Sequence, residues 1–298
     1  MRSEWNLGCG TLALVVSCGS AGCVDLAGAV SGGHMVLEER RFAVSDSPQI
    51  TLATFDGSID LRGWDRNEVA VRVEKYAPSP DWAKDIEVTA EQQGDRITVE
   101  VKRPRVLPLF GWHSLSAKLI VSIPRQSTAV ASSRDGSIVV ADLTGPLELH
   151  SDDGSIRGHD LSGGLKAQSA DGSIRVDRLT GDVELETHDG SVVADGKFSS
   201  LRVHTDDGSI RIRADEGSAT ERDWDISTGD GSVVIHVPDD FGAELDAMTH
   251  DGRVHVEDVQ VSNVTGPIER GRIQGRLGSG GRALRVRTGD GSVAIRRF

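Results

Sequence analysis

The chain has 298 residues, with 46 Asp and Glu against 33 Lys and Arg, a net charge of −13, 37% hydrophobic residues and only 4% aromatics. That charge excludes nucleic acid as the main partner, and leaves an anionic membrane surface no electrostatic hold on the body of the protein. Glycine, at 35 residues, is well above the usual ~7% but has no three-residue period, so collagen is excluded, and the steady recurrence of Ile, Val and Leu excludes a disordered chain.

The N-terminus carries the export signal. Arg2 opens a short polar region, Thr11 to Val16 is apolar, and Ser17, Gly19, Ser20, Ala21 and Gly22 are small. This predicts a signal peptide over 1–23, since a membrane span needs about 20 apolar residues. All three cysteines, Cys9, Cys18 and Cys23, lie here. Val15-Val16-Ser17-Cys18 and Ser20-Ala21-Gly22-Cys23 each fit a bacterial lipoprotein box. Cys23, or else Cys18, is the expected lipid anchor, and the anchor is the only expected membrane contact. Neither cysteine is followed by Asp, so the expected location is the cell envelope, at the outer membrane if the cell has one. With no cysteine beyond 23, the body has no disulfide, thiolate metal site or thiol nucleophile. Residues 24–40 are read as a linker.

The next segment, 41–130, predicts irregular strands around Ile50-Leu52, Ile59-Leu61, Val69-Val73, Ile86-Val88, Ile97-Val101 and Leu119-Ile123. Two Pro-containing excursions interrupt it, and they hold Tyr76, Trp82, Phe110 and Trp112. These aromatics are read as a cover over the fold, or alternatively as a candidate surface for a glycan or an envelope protein.

A repeat then dominates. Asp-Gly occurs at 56, 135, 153, 171, 189, 207, 230, 251 and 290, and the spacing from 135 to 207 is 18 residues four times running. A Ser or Thr stands two residues before every Asp. Within each period apolar residues alternate, which is a strand pattern, and Gly145, Gly163 and Gly181 mark the half-period boundaries. The predicted fold is all-β: a single-stranded, β-helix-like solenoid with coils of about 18 residues, two short strands each. The coils are regular over 131–212 and looser over 213–298. Stacked coils bury the columns Ile138/Ile156/Ile174/Val192/Ile210 and Leu147/Leu165/Val183/Leu201, with Leu143/Leu161/Leu179/Phe198 at a corner. Gly158 leaves one layer thin. Outward Glu148, Lys166, Glu184 and Arg202 attract across rungs, at most ~1 kcal/mol per pair.

These Asp-Gly-Ser-Ile/Val coils, the Val-Ser-Ile-Pro124 strand and the ending Gly278-Ser-Gly-Gly281 to Thr288-Gly-Asp-Gly-Ser-Val293 resemble a bacterial adhesin-type β-strand-repeat family, domain of unknown function 4097. The resemblance covers most of 40–298. It implies an extracytoplasmic or envelope-associated protein with a β-helix-like body, and it supplies no catalytic residues.

The pairs Asp135-Gly136, Asp153-Gly154, Asp171-Gly172, Asp189-Gly190 and Asp207-Gly208 are read as turn chemistry, Asp accepting turn amides and Gly taking φ > 0. A row of carboxylates could instead hold a cation, but only alternate half-turns carry Asp and the Gly-Gly-x-Gly element of calcium solenoids is missing. His150, His159, His188 and His204 lack zinc-type spacing. No metal, cofactor or catalytic residue is assigned. The reading is a noncatalytic surface scaffold or interaction module; the alternative is a polysaccharide-active lyase or hydrolase on the same scaffold.

Overall fold

The computed structural model describes residues 24–30, 33–103, 115–264 and 271–297, with side chains from His34 onward. The chain is all-β. Its described strands join in one open sheet, and its one described helix has five residues.

In chain order the strands are β1 (Val24–Val30), β2 (Gly33–Ala43), β3 (Gln49–Thr54), β4 (Ile59–Trp64) and β5 (Glu68–Ala77), then helix α1 (Pro80–Lys84). Next come β6 (Glu87–Gln93), β7 (Arg96–Lys102), β8 (Ser116–Pro124), β9 (Thr128–Ser133), β10 (Ile138–Thr144) and β11 (Leu147–Ser151). The long strands β12 (Ile156–Ser169), β13 (Ile174–Thr187) and β14 (Val192–Asp207) follow, then β15 (Ile210–Ala214), β16 (Trp224–Asp230) and β17 (Val233–Val237). The last are β18 (Ala243–Asp251), β19 (Val254–Glu257), β20 (Val261–Ser262), β21 (Arg272–Leu277), β22 (Ala283–Asp290) and β23 (Val293–Arg297). Residues 24–40, expected as a linker, instead hold β1 and most of β2, and β2 pairs antiparallel with β5 from His34 opposite Ala77 to Ala43 opposite Glu68.

The aliphatic periodicity becomes parallel register. Ile138 opposes Ile156, Ile156 opposes Ile174, Ile174 opposes Val192 and Val192 opposes Ile210. Leu147, Leu165, Val183 and Leu201 align in the same way. All of these side chains are buried. A strand that presents its apolar residues to one side is stable only if its neighbours do the same, which is what the parallel stacking achieves.

Three expectations change. First, β12, β13 and β14 run unbroken through the corner where two short strands were expected. Asp160 in β12 and Arg178 in β13 bend there with φ of 52° and 54°, as Asp142 does in β10 with φ of 60°. Because successive rungs bend at the same position, pairing continues through it, Leu161 to Leu179 and Gly163 to Gly181. Second, Phe198 leaves the corner column: Leu179 faces Gly196 and Phe198 faces Gly181, between two register shifts. The ring packs edge-on against Trp224, centroids 6.0 Å apart. Third, the layer at Gly158 is not thin. A Cβ there would lie 2.8 Å from Leu161 Cδ1 and 3.2 Å from Val176 Cγ1, so neighbouring side chains fill it.

Rung order departs from chain order at both ends. At one end β3 and β4 sit between β7 and β8 on one side and β9 and β10 on the other. At the other, β22 and β23 sit between the β16–β17 rung and the β18–β19 rung. The first and last rungs in sequence are thus each one step inside the stack.

Candidate surface sites: the Ser/Thr-x-Asp-Gly ladder and a cross-rung groove

The Asp-Gly corners superimpose rung upon rung: Asp207 opposes Asp230, Asp230 opposes Asp290, and Asp251 opposes Asp290. Except at Thr54, whose buried hydroxyl has no hydrogen-bond partner, the hydroxyl two residues before the Asp links neighbouring rungs. Ser151 Oγ donates to the Gly136 carbonyl at 3.2 Å and Ser169 Oγ to the Gly154 carbonyl at 3.1 Å. Thr187 Oγ1 reaches Gly172 at 2.9 Å, Thr205 reaches Gly190 at 3.0 Å and Thr228 reaches Gly208 at 2.8 Å. At three turns the serine oxygen also accepts the amide of its own turn: Gly136, Gly154 and Gly172 N–H donate to Ser133, Ser151 and Ser169, each at 3.0 Å. There the hydroxyl takes the capping role expected of Asp.

Of the Asp-Gly glycines, Gly57, Gly231 and Gly291 take the expected positive φ, at 145°, 158° and 149°. Gly136, Gly154, Gly172, Gly190 and Gly208 do not. They are glycine because the rungs touch there: a Cβ on Gly154 or Gly172 would lie 2.2 Å from the preceding rung's glycine carbonyl, and on Gly190 or Gly208, 2.3 Å.

The Asp side chains stand along this corner with like charges as neighbours. Partial desolvation, and then the Asp135 carboxylate, raise the pKa of both Asp56 and Asp153 above the usual carboxylate range. His150 and His204 each meet the Asp two residues on, Asp152 at 3.1 Å and Asp206 at 3.2 Å. Among the described residues no three His, Cys, Asp or Glu side chains converge as a metal site would require.

The aromatic surface is only partly described. Tyr76 is half-buried and donates to Glu74 at 2.8 Å. Trp82 lies in α1, whose N-terminus is capped by Ser79, and packs half-buried against the core beside buried Ala83 and Ile86. Phe110 and Trp112 lie outside the described residues, as do Cys18 and Cys23.

A second feature was not singled out from the sequence. A groove of about 540 Å³ crosses β9, β11, β12, β13 and β14. Along it the outward side chains alternate in charge: Glu148 opposes Lys166, Lys166 opposes Glu184, Glu184 opposes Arg202. The alternation continues beyond it through Asp225, Arg285 and Asp246. Lys166 Nζ sits 3.7 Å from Glu184. One wall is raised by the loop before β16, from which Arg222 pairs with Asp182. The signal for it is the spacing, which widens from 18 to 23 residues between Asp207 and Asp230. The later partners were hidden because β22 inserts out of chain order.

An all-β stack of parallel rungs joined by a hydroxyl–carbonyl ladder is the class of structure these elements define. The chain belongs to the Toastrack family DUF4097, whose model matches residues 47–296. Two solved structures named "putative adhesin" are similar at low identity. The one from Bacteroides fragilis NCTC 9343 is 12% identical, covering 87% of this chain and 96% of its own, with a TM-score of 0.43. The one from Parabacteroides distasonis ATCC 8503 is 13% identical, covering 87% and 96%, with a TM-score of 0.38. No curated protein matches the chain.

Proposed function

We propose that this protein is a noncatalytic component of the cell envelope, an adhesin-like scaffold or interaction module. Its body, 41–298, is a β-solenoid with coils of about 18 residues, and a lipidated Cys23, or Cys18, tethers it to a membrane. What supports the solenoid is the run of parallel pairings that place residues 18 apart opposite one another from Ile138 to Ile210. The observation that carries the noncatalytic reading is the alternating row from Glu148 to Asp246, in which each carboxylate is matched to a cation on the next rung. Such matching stabilises the sheet by itself and accounts for the acids without assigning them chemistry. The apolar leader and its small-residue boxes support export.

The test is to express the full chain in a bacterial host and follow acyl-chain labelling and envelope fractionation. Labelling that vanishes in Cys23→Ser or Cys18→Ser supports the anchor. Unlabelled, cytosolic protein overturns the envelope reading.

One observation favours the enzymatic alternative. Glu148 and Glu184 flank Lys166 in the groove, two rungs or about 10 Å apart, close to the ~6.5–9.5 Å between the carboxyl groups of inverting glycosidases. Release of reducing ends or unsaturated products from linear polysaccharides, lost in Glu184→Gln, would establish it.

A further inference from the structure

We infer that the groove over β9 and β11 to β14 binds an unbranched, uncharged glycan lying along the stack axis, across the strands. This deepens the surface-interaction reading above and rests on it. The groove's volume of about 540 Å³ falls in the range of small-molecule sites, about 300–1,000 Å³. Five strands at ~4.8 Å give it a length of about 19 Å. Small residues, Thr128, Gly164 and Ser200, are among those that line it, and a Cβ built on Gly164 meets nothing within 4 Å. Its wall is the bridge from Arg222 to Asp182, carried by the residues that widen the repeat between Asp207 and Asp230.

The lining selects the ligand's chemistry. Glu148, Lys166, Glu184 and Arg202 present acceptor, donor, acceptor and donor on successive rungs. A polyanion laid here meets a carboxylate at every second rung, and a polycation meets a cation at every second rung. Hydroxyl groups both donate and accept, so a neutral sugar chain can bond to every rung, with charge assistance each time. The groove's lining includes no aromatic side chain; its exposed apolar members are Val130 and Pro146, at the end nearest β9, where a sugar ring's C–H face can pack. A peptide has no strand edge to extend, because the floor strands already pair with one another.

The decisive variant is Gly164→Trp, which fills the groove from a position with open space and no left-handed φ. Purified mature protein is titrated calorimetrically with cello-, manno- and N-acetylchito-oligosaccharides, with oligogalacturonate, and with oligolysine. We expect at least one neutral series to bind, with affinity rising from disaccharide to hexasaccharide. Gly164→Trp and Arg202→Ala should each weaken binding about tenfold, or 1.4 kcal/mol, Gly164→Trp with unchanged melting and Arg202→Ala with no more loss of stability than its cross-rung pairs with Glu184 and Asp225 supply, at most ~1 kcal/mol each. Failure of every neutral series, neutral binding indifferent to Gly164→Trp, or binding of the charged polymers alone overturns the inference. If whole-cell attachment is normal in Gly164→Trp but lost with the anchor cysteine, the groove assignment fails and the surface-module reading stands. If labelling shows no anchor while the groove variants abolish glycan binding, the reverse holds.

Discussion

Thr249 donates its hydroxyl to the carbonyl of Gly291, 42 residues further along the chain, at 2.7 Å. Gly291 in turn approaches Gly231, whose carbonyl accepts from Thr288 at 2.7 Å. The last rung of the sequence is thereby held between two earlier ones. In the regular coils the hydroxyl reaches a glycine only 15 residues before it, as from Thr205 to Gly190.

Removal of β22 and β23 should therefore do more than shorten the stack. In a simple array the loss of a terminal repeat removes one interface. Here it removes two, and leaves Trp224, Ile226 and Leu245 without the Leu284 and Val286 strand that separates them. A chain ending at residue 282 should be aggregated, or should lose the folding transition of the C-terminal rungs. A cooperative melt within a few degrees of the full chain would show that the inserted rung is dispensable.

The glycine ladder makes an ordered prediction. A side chain at Gly172 meets backbone, the Gly154 carbonyl at 2.2 Å, and cannot be relieved by rotating a neighbour. Gly172→Val should cost at least the 1–3 kcal/mol typical of overpacking, roughly, with added cost if the rungs part. Asp171→Asn should be neutral or stabilising, because the hydroxyl of Ser169 already holds the Gly172 amide and a like charge is removed from the row. Thermal melts with and without millimolar calcium decide it. A damaging Asp171→Asn together with strong calcium stabilisation would replace the structural account with a cation site.

Ile174 tests the core. It is fully buried, with Ile156 and Val192 opposite it on the two neighbouring rungs. Ile174→Asp places a carboxylate in an aliphatic column, and the expected loss is above ~4 kcal/mol, enough to unfold a marginal domain. Ile174→Val should cost about 0.5–1.5 kcal/mol. Equal melting temperatures for the two variants would contradict the column.

The regular part of the fold was legible because each 18-residue period repeats its whole local code, alternation, turn and hydroxyl together. Ile138 to Ile210 could be aligned by counting alone. The rung order at the ends was not legible, since the pairings of β3 with β7 and of β18 with β22 depend on which strands meet in space, and their own patterns are satisfied by several neighbours. The need for glycine was visible but its cause was not. Positive φ and close backbone approach both demand Gly, and only coordinates distinguish Gly163, with φ of 114°, from Gly172, which has a neighbour's carbonyl in the way. The groove escaped notice because its wall residue, Arg222, lies where the period fails.

The two kinds of carboxylate in this molecule should respond to pH in opposite directions. Asp153 has its pKa raised, by partial desolvation and then by Asp135, Asp171 and Asp152. A folded pKa above the unfolded value of ~3.9 means that the group favours folding in its protonated form. Its contribution is fully present below the unfolded pKa and is lost as pH rises through the folded one. Asp246 has its pKa lowered, first by the hydrogen bond from Arg287 at 2.7 Å, against burial and with help from Gln274 at 3.0 Å and the charge of Arg272. Its contribution is present above the unfolded pKa and is lost as pH falls through the folded one. Asp153→Asn should therefore raise the melting temperature at pH 7, and Asp246→Asn should lower it. Both differences from wild type should shrink as the pH is lowered from 7 through the carboxylate range, the Asp153 difference first because its folded pKa is raised and the Asp246 difference later because its folded pKa is lowered. Melting curves of the three proteins across that range test the assignment. An Asp153→Asn variant that is less stable at pH 7 would show that its charge has a structural partner, such as a bound cation, and would remove the repulsive row from the account of this corner.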